Sequence, residues 1–177
     1  MTTISPTPAP PSVALHAPQH LLVAVDVLDD SGCDFAHALI EHASVYATAL
    51  GARVTIVAVM PPIQTPATPP IGTETATYRS LVDIAMNEQN AARRVVQTLV
   101  ERLRDKGVSC NSRVVEHDGD AAKSLVGAAI ELSADLIVIA SHSRRGLAHA
   151  VLGSVAERTV RSSTMPVIVV PRAALST

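Results

Sequence analysis

Apolar and polar positions follow two rhythms along this chain. Leu21-Leu22-Val23-Ala24-Val25 and Asp135 to Ala140 are short, nearly continuous apolar runs, the pattern of strands buried on both faces, and Ala52 to Val59, rich in β-branched residues, makes another strand. Between the runs the spacing turns helical. Leu39, Ala43, Tyr46 or Ala47, and Leu50 share one face of a helix predicted from about Asp34 to Leu50, with Asp29, Asp30 and Ser31 as cap candidates and Gly51 as the stop. A longer stripe, Leu81, Ile84 or Ala85, Ala92, Val95, Leu99 and Leu103, predicts a second helix from about Tyr78 to Lys106, interrupted by polar Glu88 and ended by Gly107.

Val108 to Val115 is a less apolar strand and so belongs nearer an edge; Glu116 to Asp120 then turn the chain into a helix from Ala121 to about Ser133. Gly153-Ser154 opens a last helix, in which Ser154 and Glu157 have capping-box spacing, and Val167 to Val170 form a final strand between Pro166 and Pro171. Strands alternating with helices predict an α/β fold, a parallel sheet covered on both faces. Strand order is not readable from this alternation.

Two stretches break the rhythm. Residues 1–18, rich in Pro, Thr and Ser, read as a flexible tail, which leaves 19–172 as a single domain. The proline-rich stretch 60–77 leaves the carboxyl end of the second strand and reads either as a lid over that end of the sheet or as a disordered insertion.

Composition narrows the function. A chain of 177 residues, 47% hydrophobic, suffices for one well-buried core, and with aromatics at 2% that core is built from Ala, Val, Leu and Ile. So few aromatics, with a net charge of −2, argue against nucleic acid and against an anionic membrane as partners. No window approaches a membrane span, and the N-terminal stretch lacks both the charged and the apolar part of a signal peptide. Cys33 and Cys110 lack metal-site spacing and are expected as reduced thiols in a cytoplasmic protein.

The chemistry gathers at strand ends. Asp26 closes the first strand, where open α/β sheets bind ligands. Ala140-Ser141-His142-Ser143-Arg144-Arg145-Gly146 follows the fourth, and a helix start lies just beyond at Gly153-Ser154-Val155, so backbone N–H groups converge as an anion requires. Acidic residues dominate 1–52, whereas arginines dominate 140–172, a basic rim beside a phosphate site or simply a solvated surface. His142 has no carboxylate to orient it and no partnered nucleophile, so no catalytic residue is assigned. The G-x-x-x-x-G-K-[ST] loop and G-x-G-x-x-G after the first strand are both absent. A response-regulator receiver is disfavoured because Glu116 and His117 stand where its acceptor Asp belongs and no Lys follows Lys123.

The 140–154 segment resembles the nucleotide-binding loop of universal stress proteins, G-x2-G-x9-G-[S/T], with Ala140 and Ser143 in place of two glycines and Gly153-Ser154 in place as written. Leu152 to Arg158 and Met165 to Val170 also fit the family pattern, and the likeness spans about residues 20–171. The resemblance implies an open five-stranded parallel sheet in the order 3-2-1-4-5, of the adenine-nucleotide alpha-hydrolase-like kind. It also implies an ATP or AMP site, with Mg²⁺ accompanying ATP. Asp26 and Val59 would contact ribose or base, and Ala140, Ser141, His142, Ser143, Arg144, Gly153, Ser154 and Val155 would cradle the phosphates. It further implies a homodimer paired through Val167–Val170. Family members usually continue the first strand with Asp-Gly-Ser; this chain has Asp26-Val27-Leu28 and a connection some four residues longer. The expected function is a stress-response sensor or regulator with at most slow ATP hydrolysis; the alternative is a nucleotide-free dimeric interaction module.

Overall fold

A computed structural model describes residues 16–28, 30–62, 75–141 and 153–175. Its strands are β1 (His20–Val25), β2 (Arg53–Met60), β3 (Cys110–Glu116), β4 (Leu136–Ser141) and β5 (Val167–Pro171). They form one sheet in the order β3-β2-β1-β4-β5, with every neighbouring pair parallel. This is the order the family likeness implies, and β3 lies at an edge as its weaker apolar character suggests. Parallel neighbours need crossovers, which α1 (Asp30–Leu50), α2 (Thr75–Asp105), α3 (Ala121–Glu131) and α4 (Ser154–Ser162) supply.

The pleat sends alternate residues to opposite layers. Leu21, Val23 and Val25 of β1 pack in one cluster with Leu39 and Ala43 of α1 and Leu99 and Leu103 of α2. Leu22 joins the other, with Leu125, Ala128 and Ala129 of α3 and Ala156 of α4. No side chain in either cluster is charged. Small residues let α3 and α4 sit close to the sheet and to each other.

Several local expectations need correction. The first helix begins at Asp30 and not Asp34, so Asp30 and Ser31 lie inside it, while Asp29 falls outside the described residues. Much of the extra length after β1 is therefore helix and not loop. The second helix begins at Thr75, before the predicted Tyr78; of Ile84 or Ala85 it is Ala85 that is half-buried while Ile84 is 55% exposed, and Val95 packs against a buried stripe that Val96 and Val100 complete. The third strand starts at Cys110, because Ser109 carries only the carbonyl that accepts from Val54 N. The third helix stops at Glu131, and Ser133 takes a φ of 51°, a left-handed conformation that costs a non-glycine residue about 1 kcal/mol.

The opposite end of the sheet from the strand carboxyl termini carries a buried polar cluster. His20 is 4% exposed, with Nε2 2.8 Å from Thr55 Oγ1 and Nδ1 3.0 Å from Arg53 Nη2. Guanidinium only donates, so Nδ1 accepts and the neutral ring carries its proton on Nε2, towards Thr55. Asp135 Oδ2 accepts from the amides of Gln19 and His20, which ties the start of β4 to the start of β1. Burial pushes the His20 imidazole below its ordinary range and the neighbouring Arg53 adds to this, against weaker opposing effects of the Ser133 and Leu132 carbonyls and Asp135.

The folded protein therefore holds a proton on His20 less readily than the unfolded chain does. Its contribution to stability is complete above about pH 6.5 and is lost as pH falls through the depressed folded value. Urea midpoints are expected to drop between about pH 8 and about pH 5, and His20→Gln to flatten that drop. Equal slopes in the two proteins would remove His20 as the cause.

Candidate functional site

In this sheet β1 leads outward to β2 and β3 while β4 leads the other way to β5, so the winding reverses between β1 and β4. At such a switch point the loops leaving two neighbouring strands part to opposite sides and leave a crevice. Here that crevice is a cavity of about 570 Å³, within the roughly 300–1,000 Å³ usual for small-ligand sites. Ala24, Val57, Val59, Ile139 and Ala140 line it from the strands, Phe35 and Leu39 from α1, Leu125 from α3, and Gly153 to Ala156 from α4.

Asp26 stands half-buried just beyond β1 and lines the cavity. Its Oδ1 accepts from the amide of Leu28 at 3.2 Å, an Asx-type turn that fixes the carboxylate, and no described residue hydrogen-bonds Oδ2. Ala140 presents a methyl group in the cavity wall where the family pattern has glycine, and the cavity persists around it.

The strand continues through Ser141, which is half-buried and paired with Pro171, and Ser141 is not among the residues that line the cavity. His142, Ser143 and Arg144 lie outside the described residues.

Gly153, Ser154 and Val155 all line the cavity, but Ser154 is not the cap of α4. Gly153 holds that position with extended geometry, φ −60° and ψ 152°, and no side chain caps the helix. The first helical bond runs from Glu157 N to Gly153 O. The capping box is thus not formed: Ser154 sits one residue too far into the helix, and Glu157 pairs with Arg161 at 3.0 Å instead. As a result the amides of Ser154, Val155 and Ala156 have no acceptor among the described residues. This helix end can satisfy an anion, and the macrodipole favours one there.

Two polar wall residues were missed by the sequence reasoning. His117, directly after β3, and Arg158, on the second turn of α4, line the cavity with Gly119. His117 Nδ1 accepts from Gly119 N at 3.1 Å, which leaves the neutral ring's proton on Nε2. Gly119 reaches that position with φ +111°, a conformation that suits glycine. The strand-end rule that singles out Asp26 applies equally to His117. Arg158 had no such signal, because it enters through helical periodicity from a residue already in the site.

An open parallel sheet with a crevice of this size and a helix start without a side-chain cap at its switch point defines a doubly wound α/β fold. The chain belongs to the universal stress protein family, which matches residues 18–171. A universal stress protein family member from Burkholderia pseudomallei is 27% identical, covers 90% of this chain and 98% of its own, and superposes with a TM-score of 0.61. The universal stress protein from Archaeoglobus fulgidus in complex with dAMP shares the fold at 21% identity, with coverage of 85% and 96% and a TM-score of 0.57. A universal stress protein in complex with cAMP does so at 21% identity, with coverage of 88% and 98% and a TM-score of 0.55. No curated protein matches the chain. Among the described residues no helix is long and apolar enough to cross a membrane.

Proposed function

We propose that the protein binds an adenine nucleotide, AMP or ATP, in the crevice between β1 and β4 and acts as a cytoplasmic sensor or regulator in a stress response, with ATP hydrolysis slow at most. One observation carries this reading: Ser154, Val155 and Ala156 line the cavity, and their amides have no acceptor among the described residues. Phosphate would sit on these amides. Asp26 Oδ2 would accept from ribose hydroxyls or from the amino group of the base, with Val59 and Ile139 against the ring. The dAMP and cAMP complexes of two relatives support the choice of adenine ligand.

Among the described residues no three His, Cys, Asp or Glu side chains gather to hold a metal. Mg²⁺ would therefore enter with ATP, held largely by the phosphates, as is usual for this ion. The edge position of β5, with Val167, Ile168 and Val169 only half-buried, supports pairing with a second copy around a two-fold axis. A monomeric mass by light scattering would remove that part of the reading.

Mass spectrometry of small molecules released on denaturing the purified protein is expected to find an adenine nucleotide, and calorimetric titration with AMP and ATP to show saturable binding. If both are blank and Ser143→Gly then creates binding, the chain is the nucleotide-free interaction module that shares this scaffold.

A further inference from the structure

We propose that Arg158 is a phosphate-contacting cation of the crevice, and that Asp120 holds it in reserve until a ligand phosphate displaces the carboxylate. The proposal rests on the nucleotide reading above and adds to it the residue that senses the phosphate chain.

Arg158 follows Ser154 by one turn on the same face of α4, and long helical side chains lean towards the N-terminus. Its Nε donates to Ser154 O at 3.4 Å, which holds the guanidinium over the first turn of the helix, and Arg158 lines the same cavity as Ser154, Val155 and Ala156. That is an unfavourable place for a cation. The helix start carries roughly half a positive charge, and an arginine held against it needs an anion close by.

Asp120 supplies one, Oδ2 to Nη1 at 3.4 Å, with the two side chains 40% and 53% exposed. An ion pair so long and so wet holds weakly. The other oxygen, Oδ1, caps α3 by accepting from Lys123 N at 3.2 Å, so the carboxylate stays where it is when the arginine leaves. A phosphate resting on the α4 amides offers more charge than a carboxylate and a bidentate face to guanidinium. The exchange relieves the helix start and the arginine together.

The test is calorimetric titration of the wild type, Arg158→Gln and Asp120→Asn with ATP, tripolyphosphate and adenosine. Asn keeps the Oδ1 cap and removes only the charge. Arg158→Gln is expected to weaken ATP and tripolyphosphate about tenfold, and Asp120→Asn to strengthen both about two- to threefold. Adenosine, lacking phosphate, should bind all three proteins alike.

Wild-type affinity for ATP and tripolyphosphate in Arg158→Gln, or weaker binding of both in Asp120→Asn, overturns the role of Arg158 while leaving the nucleotide reading intact. Arg158-dependent binding of tripolyphosphate with no response to ATP or adenosine does the reverse. Silence to all three ligands in the wild type ends both.

Discussion

Ile137→Ala is expected to lower the unfolding free energy by about 3–4 kcal/mol, the largest stability loss we anticipate from a single side-chain truncation. Ile137 is 0% exposed in β4, with Leu22 of β1 opposite on one side and Val167 of β5 on the other. It packs in the layer under α3 and α4, whose inner residues include Ala128, Ala129 and Ala156. Side chains that small cannot swing into the space left by the lost carbons, and the described residues of the layer include no aromatic ring to tilt into it. The cavity should therefore remain, and the cost should fall in the upper part of the range measured for such truncations. Urea unfolding reads the change as a lower midpoint at constant slope. Ile130→Ala on α3, where the side chain is 57% exposed, should cost no more than about 0.5 kcal/mol. Similar losses at the two positions would refute the two-layer account of the core.

The same alanine-rich layer explains how much of this fold was legible in the chain. β1 and β4 are nearly continuous apolar runs and β2 is rich in β-branched residues, so all three stand out within about a residue of their ends. Gly51 and Gly107 mark helix stops because each takes a positive φ, 65° and 76°. Helix starts were harder. Asp30-Ser31-Gly32-Cys33 shows no helical apolar period, so α1 looks shorter than it is, and the α4 start turns on backbone geometry: Ser154 with Glu157 fits the capping-box spacing, yet Gly153 caps the helix.

The candidate site divides along the same line. Asp26 is legible because a strand end is legible, and Ala140 and Gly153 because a loop pattern carries them. The ion pair of Arg158 with Asp120 joins two helix starts 38 residues apart, and nothing in the spacing of either residue announces the other.

The geometry of the α4 start carries the functional reading, and Ser154→Asp tests it by moving two properties in opposite directions. Ser154 is exposed, occupies the first helical position, and lines the cavity. A carboxylate there faces the positive end of the helix and lies within reach of amides that no side chain now caps, so it should stabilise the fold by about 0.3–1 kcal/mol. The same carboxylate occupies the donors that a phosphate needs and repels the phosphate itself. Losing one charge-assisted hydrogen bond and adding one repulsive charge amounts to about 3 kcal/mol, which lowers nucleotide affinity roughly a hundredfold. Ser154→Ala, which deletes the hydroxyl and keeps every amide, should leave affinity within about threefold of wild type, since backbone groups do the binding. A melting temperature that rises while titration with AMP shows no saturation is the expected pair of results. If Ser154→Asp binds AMP as the natural protein does, the phosphate does not rest on α4. If Ser154→Ala loses as much affinity as Ser154→Asp, the hydroxyl and not the backbone is the donor, and the argument from an uncapped helix start fails.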